Sequence, residues 1–338
     1  MRRPGGASGR PGTCRRLLGA RAGAAHRHSI RAGRRPLVTI DSSFPTSTPA
    51  AGPPLVIAHR GYSSVAPENT LAAFEAALRC GADMVETDLH PAADGSAVLI
   101  HDAEVDATTG GSGRVADLAR ADLARLDAGA WFSAAYRGQR VPLLADLLDL
   151  LAQHPGAQLL LELKGVWGRA QVEGVLREVR RSSALEQVVL QSFEVSTLTT
   201  VQQLAPRVRR AVLLDDLEAD ALAQGRALRR DLGVIACNPS VAALAARPAA
   251  VAELHAAGLA VWPWTVDEAA LWRVLVEAGV DGVITNRPDG LLGWLEARED
   301  ARPEPADLLL AALAQRGRAL PGPTTPQDVP EPLPAAAR

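Results

Sequence analysis

Lysine is almost missing from this chain: among 36 lysines and arginines only Lys164 is a lysine. In a composition rich in Ala, Arg, Gly and Pro, that position stands out as one where a guanidinium does not serve. Acidic residues are missing altogether before Asp41, a stretch that holds ten arginines. Those ten charges leave the rest of the chain at −12 against an overall formal charge of −2. A near-neutral total with an acidic body argues against a protein built to bind nucleic acid. Cysteine is scarce, and Cys14, Cys80 and Cys237 form no close-spaced pair. That excludes a disulfide framework and a Cys-type zinc site, and fits a reducing, cytoplasmic compartment. No run approaches the roughly 18 apolar residues of a transmembrane segment, and the basic leader lacks the apolar stretch of a secretory signal. Residues 1–52 are expected to be a disordered basic extension, or to reflect a start codon assigned too early.

What is present is alternation. From Leu55 to about Arg298, short apolar runs alternate with helical patterns of ten to fifteen residues, the sequence form of repeated βα units. Strands are expected near 55–59, 83–89, 97–101, 158–163, 187–191, 210–214, 232–236, 260–264 and 281–285. A closed (β/α)₈ TIM barrel, an α/β fold, needs eight. The ninth is explained if Asp94-Gly95 forms a two-residue type I′ turn, which makes 97–101 a return strand and sets Asp88 opposite His101. Thr70 is expected to cap a helix whose Leu71, Phe74, Ala77 and Leu78 share one face and which ends at Gly81. Residues 102–140, broken by Gly110, Gly111, Gly113 and Gly129, read as a small insertion after the hairpin, on the rim of the active site. Beyond the barrel at 53–298, the segment 299–338 is expected to hold one helix near 305–316 and a disordered Pro-rich tail.

In a βα barrel the chemistry sits where the strands end. The first strand runs into His59-Arg60-Gly61. The second carries Glu86 and Asp88, two apart and so on one side. The return strand leads into His101-Asp102, and the fourth run delivers Glu162 and Lys164 on one side. Two histidines, three carboxylates, an arginine and a lysine should therefore converge on one mouth. Imidazole titrates near neutrality, which makes His59 and His101 the natural acid and base, in an order the sequence leaves open. Arg60 offers a planar fork for a phosphate and Lys164 a compact charge, although either could instead pair with a carboxylate. Trp264 could wall the pocket or sit in the core, and His90 reads as a rim or structural residue.

These residues also carry a resemblance. His59-Arg60-Gly61, Pro67-Glu68-Asn69-Thr70, Glu86-x-Asp88, Asp94-Gly95, His101-Asp102 and Glu162-x-Lys164 stand in the order of the glycerophosphodiester phosphodiesterase signature. The chain resembles that family onward through Gln191-Ser192-Phe193, Trp264-Thr265-Val266 and Gly279-Val280-Asp281-Gly282 to Thr285-Asn286-Arg287-Pro288, with departures at Ala107 and His90. The resemblance implies that Glu86, Asp88 and Glu162 hold one divalent cation. Hard oxygen ligands suit Mg²⁺ or Ca²⁺ better than zinc. It further implies that Arg60, Lys164, Glu68 and Trp264 meet a small-molecule glycerophosphodiester, cleaved to glycerol 3-phosphate and an alcohol. A lysophospholipase D or phospholipase-C-like activity on a lipid is the nearest alternative. A non-catalytic barrel that binds a phosphorylated ligand is the alternative of another class.

Overall fold

The computed structural model describes residues 52–182 and 184–298. Apart from Gly52, the expected basic extension lies outside the described residues, as do the expected C-terminal helix and Pro-rich tail. Eight parallel strands form the barrel wall: β1 (Leu55–Ala58), β2 (Met84–Pro91), β4 (Gln158–Leu163), β5 (Val188–Ser192), β6 (Arg209–Leu214), β7 (Ala236–Pro239), β8 (Ala260–Val261) and β9 (Gly282–Thr285). Their order is β8-β7-β6-β5-β4-β2-β1-β9, and the short β3 (Ala97–Leu99) pairs antiparallel with β2. The remaining seam closes through single hydrogen bonds, Asp281 N to Val261 O at 3.1 Å and Ile284 N to Pro263 O at 3.0 Å. The (β/α)₈ architecture read from the alternation is the architecture of the molecule.

The side-chain period of two divides each strand between two cores. Outward residues such as Val85, Leu159, Leu161 and Leu163 pack on Phe74, Leu144, Leu147 and Val172 of the surrounding helices. Val56, Val212, Val261 and Val283 do the same with Leu254, Leu271 and Trp272 on the other half. Inward residues Ile57, Met84, Leu160, Val189, Ala211, Ala236, Trp262 and Ile284 fill the barrel.

Three local expectations change. The return strand pairs Leu89 with Leu99 and His90 with Val98, one residue off the expected register, so Asp88 lies opposite Ile100, whose N–H it accepts at 3.1 Å. The cause is the loop. Ala92 N bonds Ser96 O at 2.8 Å and Gly95 N bonds Ala92 O at 2.9 Å. Gly95 has positive φ whereas Asp94 does not, so this is a three-residue hairpin in place of the type I′ turn. The strand expected at 232–236 begins at Ala236, because Leu232 closes a helix that Gly233 caps in the left-handed region. The insertion packs Val105, Val115 and Leu123 against Val98, Ile100 and Val141 in a small core, which explains how so glycine-rich a segment is held. Around the helix Leu71–Cys80 the expectations hold, with Thr70 Oγ1 accepting from Ala73 N and Gly81 at the C-terminal end, except that Leu71 is exposed.

Gly61 is the tightest point of the first loop. Its φ is +79°, and a Cβ there would lie 2.6 Å from the backbone carbon of Ala73 and 2.8 Å from its oxygen. Gly61→Ala is expected to cost at least about 2 kcal/mol, from positive φ and overpacking together. A urea midpoint that falls at unchanged m-value would register this, and an unmoved midpoint would contradict it.

Candidate active site

The site is the inward face of the same strands, one step further on. Two residues past the buried Ile57, Met84, Leu160, Val189, Ala236 and Trp262 come His59, Glu86, Glu162, Gln191, Asn238 and Trp264. The pleat that aims apolar side chains into the barrel therefore aims polar ones at its mouth. A cavity of about 230 Å³ is lined there by the charged and titratable residues His59, Arg60, Glu86, His101, Glu162 and Lys164. Gln191, Phe193, Leu213, Trp264, Thr265 and Ile284 complete it. The insertion 102–140 contributes no residue to this lining. A larger hollow of about 480 Å³ lies on the outer flank of the helix Arg169–Arg181, among its exposed arginines and Leu204. It meets no strand end.

Glu86, Asp88 and Glu162 are all buried, and each offers an oxygen within 4.8 Å of the others. Two cations face them. Lys164 Nζ lies 3.0 Å from Asp88 Oδ1 and 2.9 Å from Glu162 Oε1. Arg60 Nε lies 3.4 Å from Asp88 Oδ2, while Arg60 Nη1 pairs with Glu68 Oε1 at 2.8 Å. Glu68 thus holds Arg60 and does not line the cavity. Two cations do not balance three buried carboxylates, and the protonation equilibria record it. Burial, with Asp88 and Glu162 beside it, raises Glu86 well above the usual carboxylate range. Burial and the Asp88 charge lift Glu162 to about 7. Asp88, although burial works against it, is held at about 2 by Lys164 and Arg60. A donor set of three hard oxygens with surplus negative charge fits a divalent cation.

The loop after β1 is shaped around Asp88. Asn69 is buried; its Nδ2 donates to Asp88 Oδ2 at 2.9 Å, and its Oδ1 accepts from Thr87 Oγ1 at 2.6 Å. Among the described residues, Asn69 and Arg60 are the two non-glycine residues with positive φ, at 54° and 55°. Asn tolerates this region and Arg does so at a cost. The bonds from Arg60 N to Glu86 Oε2 at 3.0 Å and from Asn69 N to Arg60 O at 3.0 Å hold the turn. Such strain gathers where a side chain must be aimed.

The histidines differ in what they lean on. His59 Nδ1 meets Asn286 Oδ1 at 2.7 Å. That amide is oriented by Asp267, which accepts from Asn286 Nδ2 at 2.8 Å, from Asn286 N at 2.8 Å and from Thr285 Oγ1 at 3.0 Å. Because Asn286 gives its N–H to a carboxylate, its oxygen faces the ring, so Nδ1 carries the proton and Nε2 is left as a base. Burial, reinforced by the neighbouring Arg60 charge, lowers His59 to about 4. His101 Nδ1 instead meets the Asp102 carboxylate at 2.6 Å. His90 points its Nε2 at His101 O, 2.9 Å away, and so braces that loop.

All the residues expected at the mouth except Glu68 and Asp88 line the cavity, and those two contact residues that do. Sequence reading gave no role to Asp267, Asn286, Ser63, Gln191 or Asn238. Ser63 Oγ donates to Asn286 Oδ1 at 2.7 Å. Gln191 Nε2 donates to Glu86 Oε1 at 3.3 Å, and its Oε1 accepts from Asn238 Nδ2 at 2.8 Å. The inward parity of β5 and β7 is the signal that could have found Gln191 and Asn238.

Comparison with known proteins agrees with this geometry. The model of the glycerophosphoryl diester phosphodiesterase family matches residues 59–290. The glycerophosphodiester phosphodiesterase of Caldanaerobacter subterraneus subsp. tengcongensis is 31% identical over 242 residues, covering 70% of this chain and 96% of the relative. That of Bacillus subtilis is 32% identical over 250 residues, covering 70% and 84%. Among solved structures, an Oleispira antarctica phosphodiesterase in complex with the product sn-glycerol-3-phosphate superimposes with a TM-score of 0.67 at 27% identity, covering 72% of this chain and 97% of the other.

Proposed function

This chain belongs to the glycerophosphoryl diester phosphodiesterase family, and from that membership we propose that it hydrolyses glycerophosphodiesters to sn-glycerol 3-phosphate and an alcohol with the residues at its barrel mouth. The observation that carries the reading is the buried Glu86, Asp88 and Glu162 cluster beside two histidines in one cavity. Those three carboxylates would hold one divalent cation, Mg²⁺ or Ca²⁺. When bound, such an ion supplies positive charge to the phosphoryl oxygens and relieves the repulsion among its ligands. Arg60, steadied by Glu68, and Lys164 add cationic donors beside Asp88.

Acid and base can be told apart by their partners. His59, neutral at pH 7 and protonated on Nδ1, takes the proton of the attacking hydroxyl at Nε2. The nucleophile is water or the substrate's own 2-hydroxyl. His101, whose Nδ1 is oriented by the Asp102 carboxylate, gives a proton to the departing alcohol as its P–O bond breaks. Trp264 and Phe193, edge to face at 5.6 Å, help wall the cavity. The free thiols of Cys80 and Cys237 support a cytoplasmic location.

The test is release of sn-glycerol 3-phosphate from glycerophosphocholine with and without EDTA. We expect release to stop in chelator and to return with excess Mg²⁺ or Ca²⁺. Chelator-resistant release would overturn the metal assignment, and no release from any of several glycerophosphodiesters would overturn the substrate class.

A further inference from the structure

A buried polar side chain in an apolar barrel calls for a partner or a purpose. β5 and β7 each place an amide there. Gln191 and Asn238 are both buried, and each stands two residues past an apolar inward neighbour, Val189 and Ala236. Their strands are separated by β6, yet the side chains meet across it, Asn238 Nδ2 donating to Gln191 Oε1 at 2.8 Å. That is the only hydrogen bond the Asn238 side chain makes among the described residues, because its Oδ1 is buried without a partner. An unpaired amide oxygen held away from water costs stability that an apolar residue of similar shape would not. The stability of the barrel therefore leaves Asn238 unexplained.

The other end of the amide pair meets the carboxylate cluster, whose members are held in different ways. Lys164 reaches Asp88 and Glu162, and Arg60 reaches Asp88. Glu86 instead takes one neutral N–H at each oxygen, from Gln191 Nε2 at Oε1, 3.3 Å away, and from Arg60 N at Oε2, 3.0 Å away. The second donor is fixed by the backbone. The first belongs to a side chain that could turn, and Asn238 removes that freedom: with its oxygen engaged by Asn238, the Gln191 amide keeps its N–H toward Glu86.

We propose that Asn238 and Gln191 are positioning residues of the metal site, Asn238 fixing the Gln191 amide and Gln191 fixing Glu86 Oε1 for a divalent cation. The proposal rests on the reading above that Glu86 is a ligand of that ion. A ligand already ordered when the ion arrives binds it more tightly, and loss of a group that orders it typically costs about 10- to 100-fold in affinity. The relay acts through Glu86 and takes no part in proton transfer.

The experiment is calorimetric titration with Mg²⁺ and with Ca²⁺, at one pH, of the native protein, Gln191→Met, Asn238→Leu and the double variant. Both replacements remove the amide and keep much of its volume. We expect Gln191→Met to weaken binding by about 10- to 100-fold, and Asn238→Leu by a smaller factor. The double variant should bind no more weakly than Gln191→Met alone, because a residue that acts only through another adds nothing once that one is gone. Without metal, the double variant should unfold at a urea midpoint no lower than the native one, since both partners of the buried bond, and the orphaned oxygen with them, have given way to apolar groups. Native-like affinity in Gln191→Met, or losses that add in the double variant, would overturn the relay and leave the three-carboxylate reading intact. A double variant with a clearly lower midpoint would make the pair a support of the barrel instead. Native protein that takes up neither ion overturns the ligand reading itself, and the relay with it.

Discussion

His59→Ala is expected to lower kcat/KM by about 10² to 10⁴-fold on every diester substrate, the range of a lost general base. His101→Ala should cost a similar factor on glycerophosphocholine, whose alcohol must leave with a proton. On an aryl diester, whose phenolate departs unprotonated, the same variant should lose less than about 10-fold. The contrast follows from the two partners. A neutral amide, Asn286, meets the buried His59 at Nδ1, while a carboxylate, Asp102, meets His101. Losses that do not depend on the leaving group, or the reverse pattern, would exchange the two roles.

Binding of Mg²⁺ or Ca²⁺ is expected to release protons and to tighten as pH rises. Without metal, burial and the Asp88 charge put Glu162 at about 7, and Glu86 lies well above the carboxylate range for the same kind of reason. Ligand oxygens must be ionised, so these protons leave as the ion enters. Below about pH 7 the ion must displace the proton on Glu162, and above it that proton is already gone, so affinity climbs between about pH 6 and about pH 8. Titration calorimetry in two buffers of different ionisation heat measures the release directly. Glu86→Gln should weaken metal binding by more than about 100-fold, beyond what distant supporting residues contribute. The same variant should leave the metal-free fold at least as stable, since it removes a carboxylate that burial disfavours. A pH-independent affinity with no proton release would contradict this account.

The barrel was legible because each strand-forming run is short, apolar and followed by a helical period, and nothing in the chain interrupts that rhythm except the insertion. The clustered carboxylates were legible for a related reason: Glu86 and Asp88, like Glu162 and Lys164, are spaced by two at strand ends, so the pleat alone puts each pair on one side. Other features depend on information that local sequence does not carry. Leu232 to Ile235 is apolar enough to read as strand, yet its first residue completes a helix and Gly233 turns the chain. Asp94-Gly95 signals a hairpin without fixing how many residues the loop contains, and one extra residue moved Asp88 from His101 to Ile100. Asn286 and Asp267 escaped because an uncharged amide advertises no chemistry, and because their client His59 lies 227 positions from Asn286. Lys164 stood out by its rarity, and it sits between two of the carboxylates.

That separation of 227 positions has a consequence for how the protein comes into being. His59 is encoded at the start of the barrel and Asn286, which orients its ring, at the end, and they meet only when β9 docks against β1. A chain emerging from the ribosome can carry the ligand carboxylates and both histidines while the ring of His59 still lacks its anchor. We expect turnover to begin only when the last strand arrives, so that an activity assay on a translating or refolding chain would report the closing of the circle.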